Sequence, residues 1–252
     1  MHQPGLMEVS VHIQADPPYD VVLVMPVYNE QESITGVVEQ WLDVLRREAP
    51  NHQLIVFNDG STDTTAERLE PFAADPRIEI VHQANSGHGA TILEGYRRAA
   101  ARGRWVFQAD SDNEIEPTHF ARLWARRDDL DLVLGVRRHR RQRFDRWLVS
   151  GASRWAVRLF FGRGIRDVNT PFRLIRADVL ARVLPLIPPD TFAPNILLAG
   201  LCARRGDRVL NIDVPYRGRR AGCTSMGGRR LWLSAGRAFL QTLRVAAAAR
   251  RR

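Results

Sequence analysis

Short apolar runs alternate with amphipathic stretches over the first 136 residues of the chain. Residues 20–27 and 53–57 are apolar runs of strand length, which indicates two buried strands. Between them, Ser33 can cap a helix whose apolar residues fall on one face: Val37, Val38, Trp41, Leu42 and Leu45. The same pattern predicts strands over 78–82, 105–109 and 130–136, and helices over 62–74, 89–102 and 117–127.

This alternation indicates βαβ units and therefore an α/β fold, with a mostly parallel central sheet flanked by helices. In such sheets, ligands bind beyond the carboxyl ends of the strands. Polar clusters follow three of the predicted strands, at 29–30, 58–59 and 110–112. We therefore expect these clusters to converge on one cleft.

The domain organisation follows from where this pattern stops. No repeat or low-complexity linker interrupts the chain before about residue 217. We divide the sequence into a leader over 1–19, one α/β domain over 20–217 and a basic C-terminal segment over 218–252, which contains an amphipathic helix.

The charges are segregated along the 252 residues. All 37 basic residues are arginine. Residues 1–120 carry 8 arginines and 19 carboxylates, whereas residues 121–252 carry 29 arginines and 9 aspartates. A genome rich in G and C favours arginine over lysine, but it does not explain the segregation. An acidic first half and a basic second half suggest a metal site beside an anion-binding surface.

Other features exclude several classes of protein. Two cysteines, Cys202 and Cys223, cannot form a disulfide framework, and no Cys/His cluster suggests zinc. The start of the chain lacks the pattern of a secretory signal. The longest apolar run, 21–27, is far shorter than the ~20 residues of a membrane span. We expect a cytoplasmic protein that does not cross a membrane by itself.

The candidate metal ligands are Asp110 and Asp112. Two carboxylates one residue apart, on a chain that leaves a strand, can both reach one Mg²⁺ or Mn²⁺ ion. Asp-rich turns that only cap helices are common, but the position after an apolar strand favours the metal.

Two further features can bind anions. The glycines at 87 and 89 precede a predicted helix, where they permit close approach of a ligand, although a tight turn explains them equally well. Arg146 and Ser150 are four residues apart on one helical face and can hold an anion together.

The C-terminal segment has a basic stripe and an apolar face. Four arginines recur every seven residues: Arg230, Arg237, Arg244 and Arg251. Apolar residues lie opposite them on a helix: Trp232, Ala235, Phe239, Leu243 and Ala246. Such a helix suits a membrane surface with anionic lipids. Alternatively, its apolar face packs on the domain or on a second subunit, which the loose connection at 227–228 slightly favours.

Six motifs occur in the order found in family 2 glycosyltransferases of the GT-A fold, and the chain resembles in particular the dolichol- and polyprenyl-phosphate mannose synthases. The resemblance extends over about residues 20–226. The motifs are P-V-Y-N-E at 26–30, N-D-G-S-T-D at 58–63, G-H-G at 87–89, D-S-D at 110–112, D-V-N-T-P-F-R at 167–173 and R-R-A-G at 219–222.

The resemblance implies a role for each matching residue. The nucleoside of a sugar nucleotide would contact Pro26, Tyr28, Glu30 and Asp59, with Gly87 and Gly89 in the same donor site. Mg²⁺ or Mn²⁺ on the diphosphate would be held by Asp110 and Asp112, with Ala109 and Ser111 lining the site. The phosphates of the donor would be contacted by Arg137, Arg173 and Arg219, and the acceptor phosphate by Arg146 and Ser150.

The sequence departs from the synthase pattern at three places. Glu114 stands where the synthases carry Gln, so we count it as a third metal ligand in a more acidic shell. Pro171 replaces the glycine of the usual Gly-Phe-Arg ending. Ser225 stands where a phosphate-binding lysine is expected, so that contact is lost or supplied by Arg220.

The resemblance implies an inverting transfer of a hexose from GDP-mannose or a UDP-hexose by a single displacement. A hydroxyl acceptor needs a base, and the family carries it in the segment matching 191–196. This segment has no carboxylate here, and Asp190 only precedes it. An acceptor that is already an anion needs no base, so we favour polyprenyl phosphate.

Besides a catalytically inactive scaffold, which the intact Asp110 and Asp112 disfavour, two alternatives remain open. In one, a soluble hydroxyl acceptor of antibiotic or cell-envelope biosynthesis would use Asp190 as its base. In the other, the basic chain would bind nucleic acid, although it matches no reader motif. The expected partners are thus a nucleotide-diphospho-sugar and polyprenyl phosphate, without nucleic acid. We also expect the protein to lie at the cytoplasmic face of the membrane as a peripheral protein. Its expected protein partner is a second copy of the chain or a membrane anchor.

Overall fold

A computed structural model describes residues 16–138 and 164–218, together with positions 236 and 241. Its strands are β1 (Tyr19–Val27), β2 (His52–Asp59), β3 (Ile78–Gln83), β4 (Gly103–Gln108), β5 (Leu132–Arg138), β6 (Arg173–Arg176) and β7 (Val209–Pro215). Its helices are α1 (Ile34–Glu48), α2 (Thr65–Leu69), α3 (His88–Ala100), α4 (Phe120–Trp124), α5 (Ala177–Val183) and α6 (Pro194–Arg205). Short 3-10 turns cover Glu70–Ala74, Pro117–His119 and Leu184–Leu186.

The strands form one sheet in the order β3-β2-β1-β4-β6-β5-β7. β6 runs antiparallel to both of its neighbours, and the other pairs are parallel. This arrangement confirms the predicted α/β fold with a mostly parallel sheet. The hydrophobic pattern did not identify β6 or β7.

Both faces of the sheet are covered because successive residues of β1 point to opposite sides. Val22 and Val24 pack in a core with α3, α5 and α6, whereas Leu23 and Met25 pack in a second core with α1 and α4. The second core contains a cluster of aromatic rings, formed by Trp41, Phe107, Phe120 and Phe172.

Two predicted local features differ from the structure. Ser33 precedes α1 but makes no side-chain cap, because its hydroxyl donates to Glu30 Oε2 at 3.1 Å instead. The helix expected over 62–74 is only the short α2 followed by a 3-10 turn. Pro71 lies at the start of that turn, where it has no N–H to continue an α-helix.

Several predicted sites lie outside the described residues: Arg146, Ser150, Arg219 and nearly all of the C-terminal helix. The two described positions of that helix are helical. Within 16–138 and 164–218, no helix has the length and apolar character of a membrane span.

Candidate active site

Polar groups gather at the carboxyl ends of the parallel strands. The strand register aligns Val27 of β1 with Asn58 of β2, and Asp59 with Gln83 of β3. The loops after these strands therefore leave the sheet at one edge. A cavity of about 170 Å³ lies there between α1 and the D-S-D loop, and both Glu30 and Asp112 line it. The predicted clusters at 29–30 and 110–112 therefore meet at one cavity, but the cluster at 58–59 does not line it.

The loop after β1 combines an exposed ring with a buried carboxylate. Tyr28 is 46% exposed and presents its ring at the sheet edge. Glu30 is buried, and its backbone N–H donates to Thr65 Oγ1 at 2.9 Å. Asn29 adopts a left-handed backbone, which allows the sharp turn between them. Pro26 is a buried position within β1, paired with Phe57.

Asp59 at the end of β2 is bound by the turn that leads into α3. Its carboxylate accepts from Gln83 Nε2 at 2.8 Å, from the N–H and hydroxyl of Ser86 at 2.8 and 3.1 Å, and from the N–H of Gly87 at 3.0 Å. Burial alone would raise the pKa of Asp59, but the hydrogen bonds from Ser86 and Gln83 outweigh it and lower the pKa. The carboxylate therefore fixes the start of α3.

The start of α3 lies against a loop of the chain itself. Gly87 has a positive φ of 86°. A Cβ on Gly89 would lie 2.2 Å from the carbonyl oxygen of Thr191 and 2.8 Å from that of Phe192. The close approach predicted at Gly89 is therefore to residues 191–192. Phe192 exposes 40% of its surface beside this contact.

The D-S-D loop follows β4. Ala109 and Ser111 are buried, whereas the side chain of Asp110 is 26% exposed. Asp110 Oδ1 accepts from Gln108 Nε2 at 3.3 Å, and His88 Nε2 lies 4.0 Å from it. The loop thus keeps one carboxylate partly open to solvent while its neighbours are packed.

The second aspartate of the motif helps to shape the loop. Asp112 Oδ1 accepts from the backbone N–H of Glu114 at 3.2 Å. In the described part of the chain, no three His, Cys, Asp or Glu side chains form a metal cluster. Glu114 therefore does not complete a three-carboxylate set with Asp110 and Asp112. Two carboxylates fit a hard cation that takes its remaining ligands from phosphate oxygens and water.

The two described arginines of the predicted phosphate site contact the protein itself. Arg137 forms a bidentate pair with Asp167 at 2.8 and 3.0 Å. Burial alone would lower the pKa of Arg137, but Asp167 outweighs it and raises the pKa, with further contributions from the charges of Glu114 and Asp110. This side chain therefore lies within electrostatic range of the D-S-D loop.

Arg173 is fully buried at the start of β6. Its guanidinium donates to the carbonyl oxygens of Thr170 at 2.5 and 2.9 Å, of Asn195 at 3.1 Å and of Val168 at 3.3 Å. Burial lowers its pKa. In this geometry Arg173 ties two segments of the chain together, and it is not presented to the cleft.

Sequence reasoning missed several polar residues at the site. His88 stands between the two glycines that were singled out, and Asp167 opens a quoted motif without an assigned role. Gln108 could have been found, because it is an amide within the apolar strand W-V-F-Q-A. Asn195 gave a weaker signal as the one polar residue in an apolar helix start. Tyr96 gave none, because a tyrosine on an apolar helix face is ordinary.

Comparison with known proteins shows the family to which the chain belongs. The family model described as glycosyl transferase family 2 matches residues 22–183. The undecaprenyl-phosphate 4-deoxy-4-formamido-L-arabinose transferase of Pectobacterium carotovorum is 30% identical over 207 residues, which cover 81% of this chain and 61% of that protein. The chain thus spans about three fifths of the length of that relative.

Two further proteins show similarity over most of their lengths. The undecaprenyl-phosphate mannosyltransferase of Micrococcus luteus is 27% identical over 217 residues, covering 82% of this chain and 88% of that protein. Glucosyl-3-phosphoglycerate synthase from Mycobacterium tuberculosis, solved with Mn²⁺, UDP and phosphoglyceric acid, superposes with a TM-score of 0.66 at 19% identity, covering 97% and 84% of the two chains. This likeness confirms the GT-A fold, and with the family match it identifies the chain as a member of glycosyl transferase family 2.

Proposed function

We propose that the chain is an inverting, metal-dependent glycosyltransferase that moves a hexose from a nucleotide-diphospho-sugar to a polyprenyl phosphate. One observation carries the choice of acceptor. The segment 191–196, which begins against Gly89 at the start of α3, has no carboxylate that could act as a base. Asp190 precedes it at an exposed position.

Three other carboxylates of the described residues at this edge of the sheet have hydrogen-bond partners. Glu30 accepts from the hydroxyl of Ser33, Asp59 is bound by the turn before α3, and Asp167 is paired with Arg137. A hydroxyl acceptor must lose a proton during attack. A lipid phosphate is already ionised at neutral pH, so its attack needs no base.

The chemistry follows from these residues. An oxygen of the acceptor phosphate attacks the anomeric carbon, and the bond from that carbon to the nucleoside diphosphate breaks on the opposite face. Asp110 and Asp112 would hold the divalent metal. When bound, the metal supplies electrostatic stabilisation of the leaving diphosphate.

The relatives support this acceptor, since two of them are named for transfer to undecaprenyl phosphate. A lipid acceptor also gives the basic C-terminal helix a role at the surface of the membrane. The donor nucleotide and sugar, GDP-mannose or a UDP-hexose, are the finer part of the proposal. We also propose that the protein acts at the cytoplasmic face of the membrane.

A transfer assay tests the proposal. The full chain is incubated with undecaprenyl phosphate in detergent and with radiolabelled GDP-mannose, UDP-glucose or UDP-N-acetylglucosamine, with Mn²⁺ or with EDTA. We expect label in the organic phase with one nucleotide class, and none with EDTA. Label on soluble alcohols and none in the lipid would contradict the proposal.

Asp190→Asn separates the two kinds of acceptor. With a lipid phosphate acceptor, this variant should keep transfer within about twofold of the unmodified chain. If Asp190 were the base for a hydroxyl acceptor, its loss would reduce transfer by roughly 10²–10⁴-fold.

A further inference from the structure

Three buried polar side chains meet behind the D-S-D loop. They are Tyr96 on α3, Gln108 at the end of β4 and Asn195 at the start of α6, and they are 0%, 0% and 4% exposed. The Tyr96 hydroxyl lies 2.7 Å from Gln108 Oε1 and 2.9 Å from Asn195 Oδ1. Asn195 Nδ2 donates to Gln108 Oε1 at 2.9 Å.

This arrangement fixes the orientation of the Gln108 amide. Its oxygen accepts from Asn195 and from Tyr96, so its nitrogen must point the other way. There Gln108 Nε2 donates to Asp110 Oδ1 at 3.3 Å. A continuous set of hydrogen bonds therefore runs from α6 to the first aspartate of the motif.

Asn195 is itself held on the other side of the network. Its backbone carbonyl accepts from the buried Arg173 at 3.1 Å. Four residues earlier, Thr191 packs its carbonyl against Gly89 at the start of α3. The segment 191–195 is thus held at both ends. It is connected to Asp110 through the side-chain amide of Gln108.

Packing does not require this network. Buried hydrogen-bonded groups contribute little net stability, and apolar residues of the same shape can replace both partners at nearly no cost. Outer-shell hydrogen bonds that orient a ligand, in contrast, typically change metal affinity by 10–100-fold.

We propose that Gln108 and Asn195 are positioning residues that orient Asp110 toward the metal and so couple segment 191–195 to the donor site. This rests on the proposed role of Asp110 as a metal ligand. The hydroxyl of Tyr96 contacts the side-chain amides of both Gln108 and Asn195. Asn195 thus acts on a carboxylate that it does not touch.

Binding of Mn²⁺ tests the coupling without any transfer reaction. The free Mn²⁺ signal in electron paramagnetic resonance is titrated with the full chain in the presence of UDP and, separately, of GDP. Gln108→Leu should weaken Mn²⁺ binding about tenfold, near the low end for such residues. Asn195→Leu should weaken it several-fold. The double variant should be no worse than Gln108→Leu alone, because the two residues act through one path.

Asn195→Asp gives a sharper test with no change of size. The carboxylate introduced at 195 attracts the nitrogen of Gln108, so the amide turns over and its oxygen faces Asp110. We expect a loss of Mn²⁺ affinity at least as large as that of Asn195→Leu. This variant also keeps the test available if the leucine variant does not fold.

Tyr96→Phe is the matched control. It removes the hydroxyl but leaves the path from Asn195 through Gln108 to Asp110 intact. We expect a lower Tm and a Mn²⁺ affinity within twofold of the unmodified chain. A role in stability alone would instead lower the Tm in all variants and leave Mn²⁺ binding unchanged in each.

Two results would overturn the inference. The first is unchanged Mn²⁺ affinity in folded variants of Asn195. The second is the absence of Mn²⁺ binding by the unmodified chain with either nucleotide. Coupled Mn²⁺ binding without transfer to undecaprenyl phosphate would instead reject only the proposed acceptor.

Discussion

Asp59 and Asp110 both lie at the carboxyl ends of parallel strands, β2 and β4, but they differ in how many hydrogen bonds their carboxylates accept from the protein. Asp59 is 4% exposed and accepts from two backbone N–H groups, a hydroxyl and an amide of the turn before α3. The side chain of Asp110 is 26% exposed and accepts from Gln108 at 3.3 Å. One carboxylate organises the chain, and the other is available to a ligand.

The difference shows that a position at a strand end does not by itself identify a ligand-binding aspartate. The two aspartates differ in the number of hydrogen-bond donors that nearby residues direct at the carboxylate. The turn at 85–87 directs its N–H groups back onto Asp59. The loop at 110–112 presents a second carboxylate instead. Four predictions test this contrast.

The largest effect is expected at the open carboxylate. Asp110→Asn should reduce transfer by roughly 10²–10³-fold, since it removes charge that holds the metal against the leaving diphosphate. The free energy of unfolding should change by less than about 1 kcal/mol, because the asparagine keeps an acceptor for Gln108. Transfer kinetics and urea denaturation measure the two quantities. A large loss of stability would remove the contrast with Asp59.

The converse is expected at the saturated carboxylate. Asp59→Ala should lower the free energy of unfolding by about 1–2 kcal/mol, because it leaves the partly buried donors of Gln83, Ser86 and Gly87 without their acceptor. Asp43→Ala is the control, since the side chain of Asp43 is 78% exposed. Urea denaturation should place that control within about 0.5 kcal/mol of the unmodified chain. Equal effects of the two variants would show that the turn does not depend on Asp59.

A comparable effect is expected where α3 meets the loop at 191–192. Gly89→Ala should destabilise the fold by about 1–3 kcal/mol, because its methyl group must displace backbone atoms. Gly36→Ala is the matched control in α1. No atom lies within 4 Å of its added methyl group, so it should stabilise the chain by about 0.5–1 kcal/mol. Thermal unfolding of both variants measures the difference. A lower Tm for Gly89→Ala alone would show that the close contact at Gly89 is responsible, whereas equal changes would show only the effect of replacing a helical glycine.

The smallest effect is a change in acid sensitivity. The pKa of Asp59 lies below its ordinary value of 3.8. Its contribution to stability is therefore complete above that value and is lost as the pH falls through the lower pKa of the folded state. Asp59→Asn has no such group to protonate. Its unfolding free energy should fall less steeply below pH 4 than that of the unmodified chain. Parallel slopes would show that Asp59 does not contribute to acid unfolding.

The sequence was sufficient to predict β1 to β5, because four of them contain an apolar run of ordinary length and β3 (I-E-I-V-H-Q) contains a short β-branched segment. β6 was not predictable from its pattern. It has only four residues, R-L-I-R, with arginine at both ends. Arg173 is tolerated in the interior because four hydrogen bonds to backbone carbonyls satisfy its guanidinium. One of these carbonyls belongs to Asn195, 22 residues away, and the others depend on the conformation of the loop at 168–170, which a hydrophobic pattern does not specify.

The edge of the sheet at which polar residues gather was predictable, but their individual contacts were not. The clusters after β1, β2 and β4 lie at the carboxyl ends of these strands, as the pattern predicts. The roles of Asp59 and Arg173 could not be assigned, because the sequence does not state which donors and carbonyls fold against them. The ion pair of Arg137 with Asp167 could not be predicted either, because a buried arginine looks the same in the sequence as a solvated one.

The antiparallel insertion of β6 also affects the order in which the fold can form. β4 ends at residue 108, and its partner β6 begins at residue 173. The parallel unit of β1 to β4 can therefore pair while β6 is still being synthesised, and it leaves the apolar edge of β4 unpaired. Closing so distant a contact is slow, and open strand edges promote self-association. Chains truncated before residue 173 are accordingly expected to aggregate.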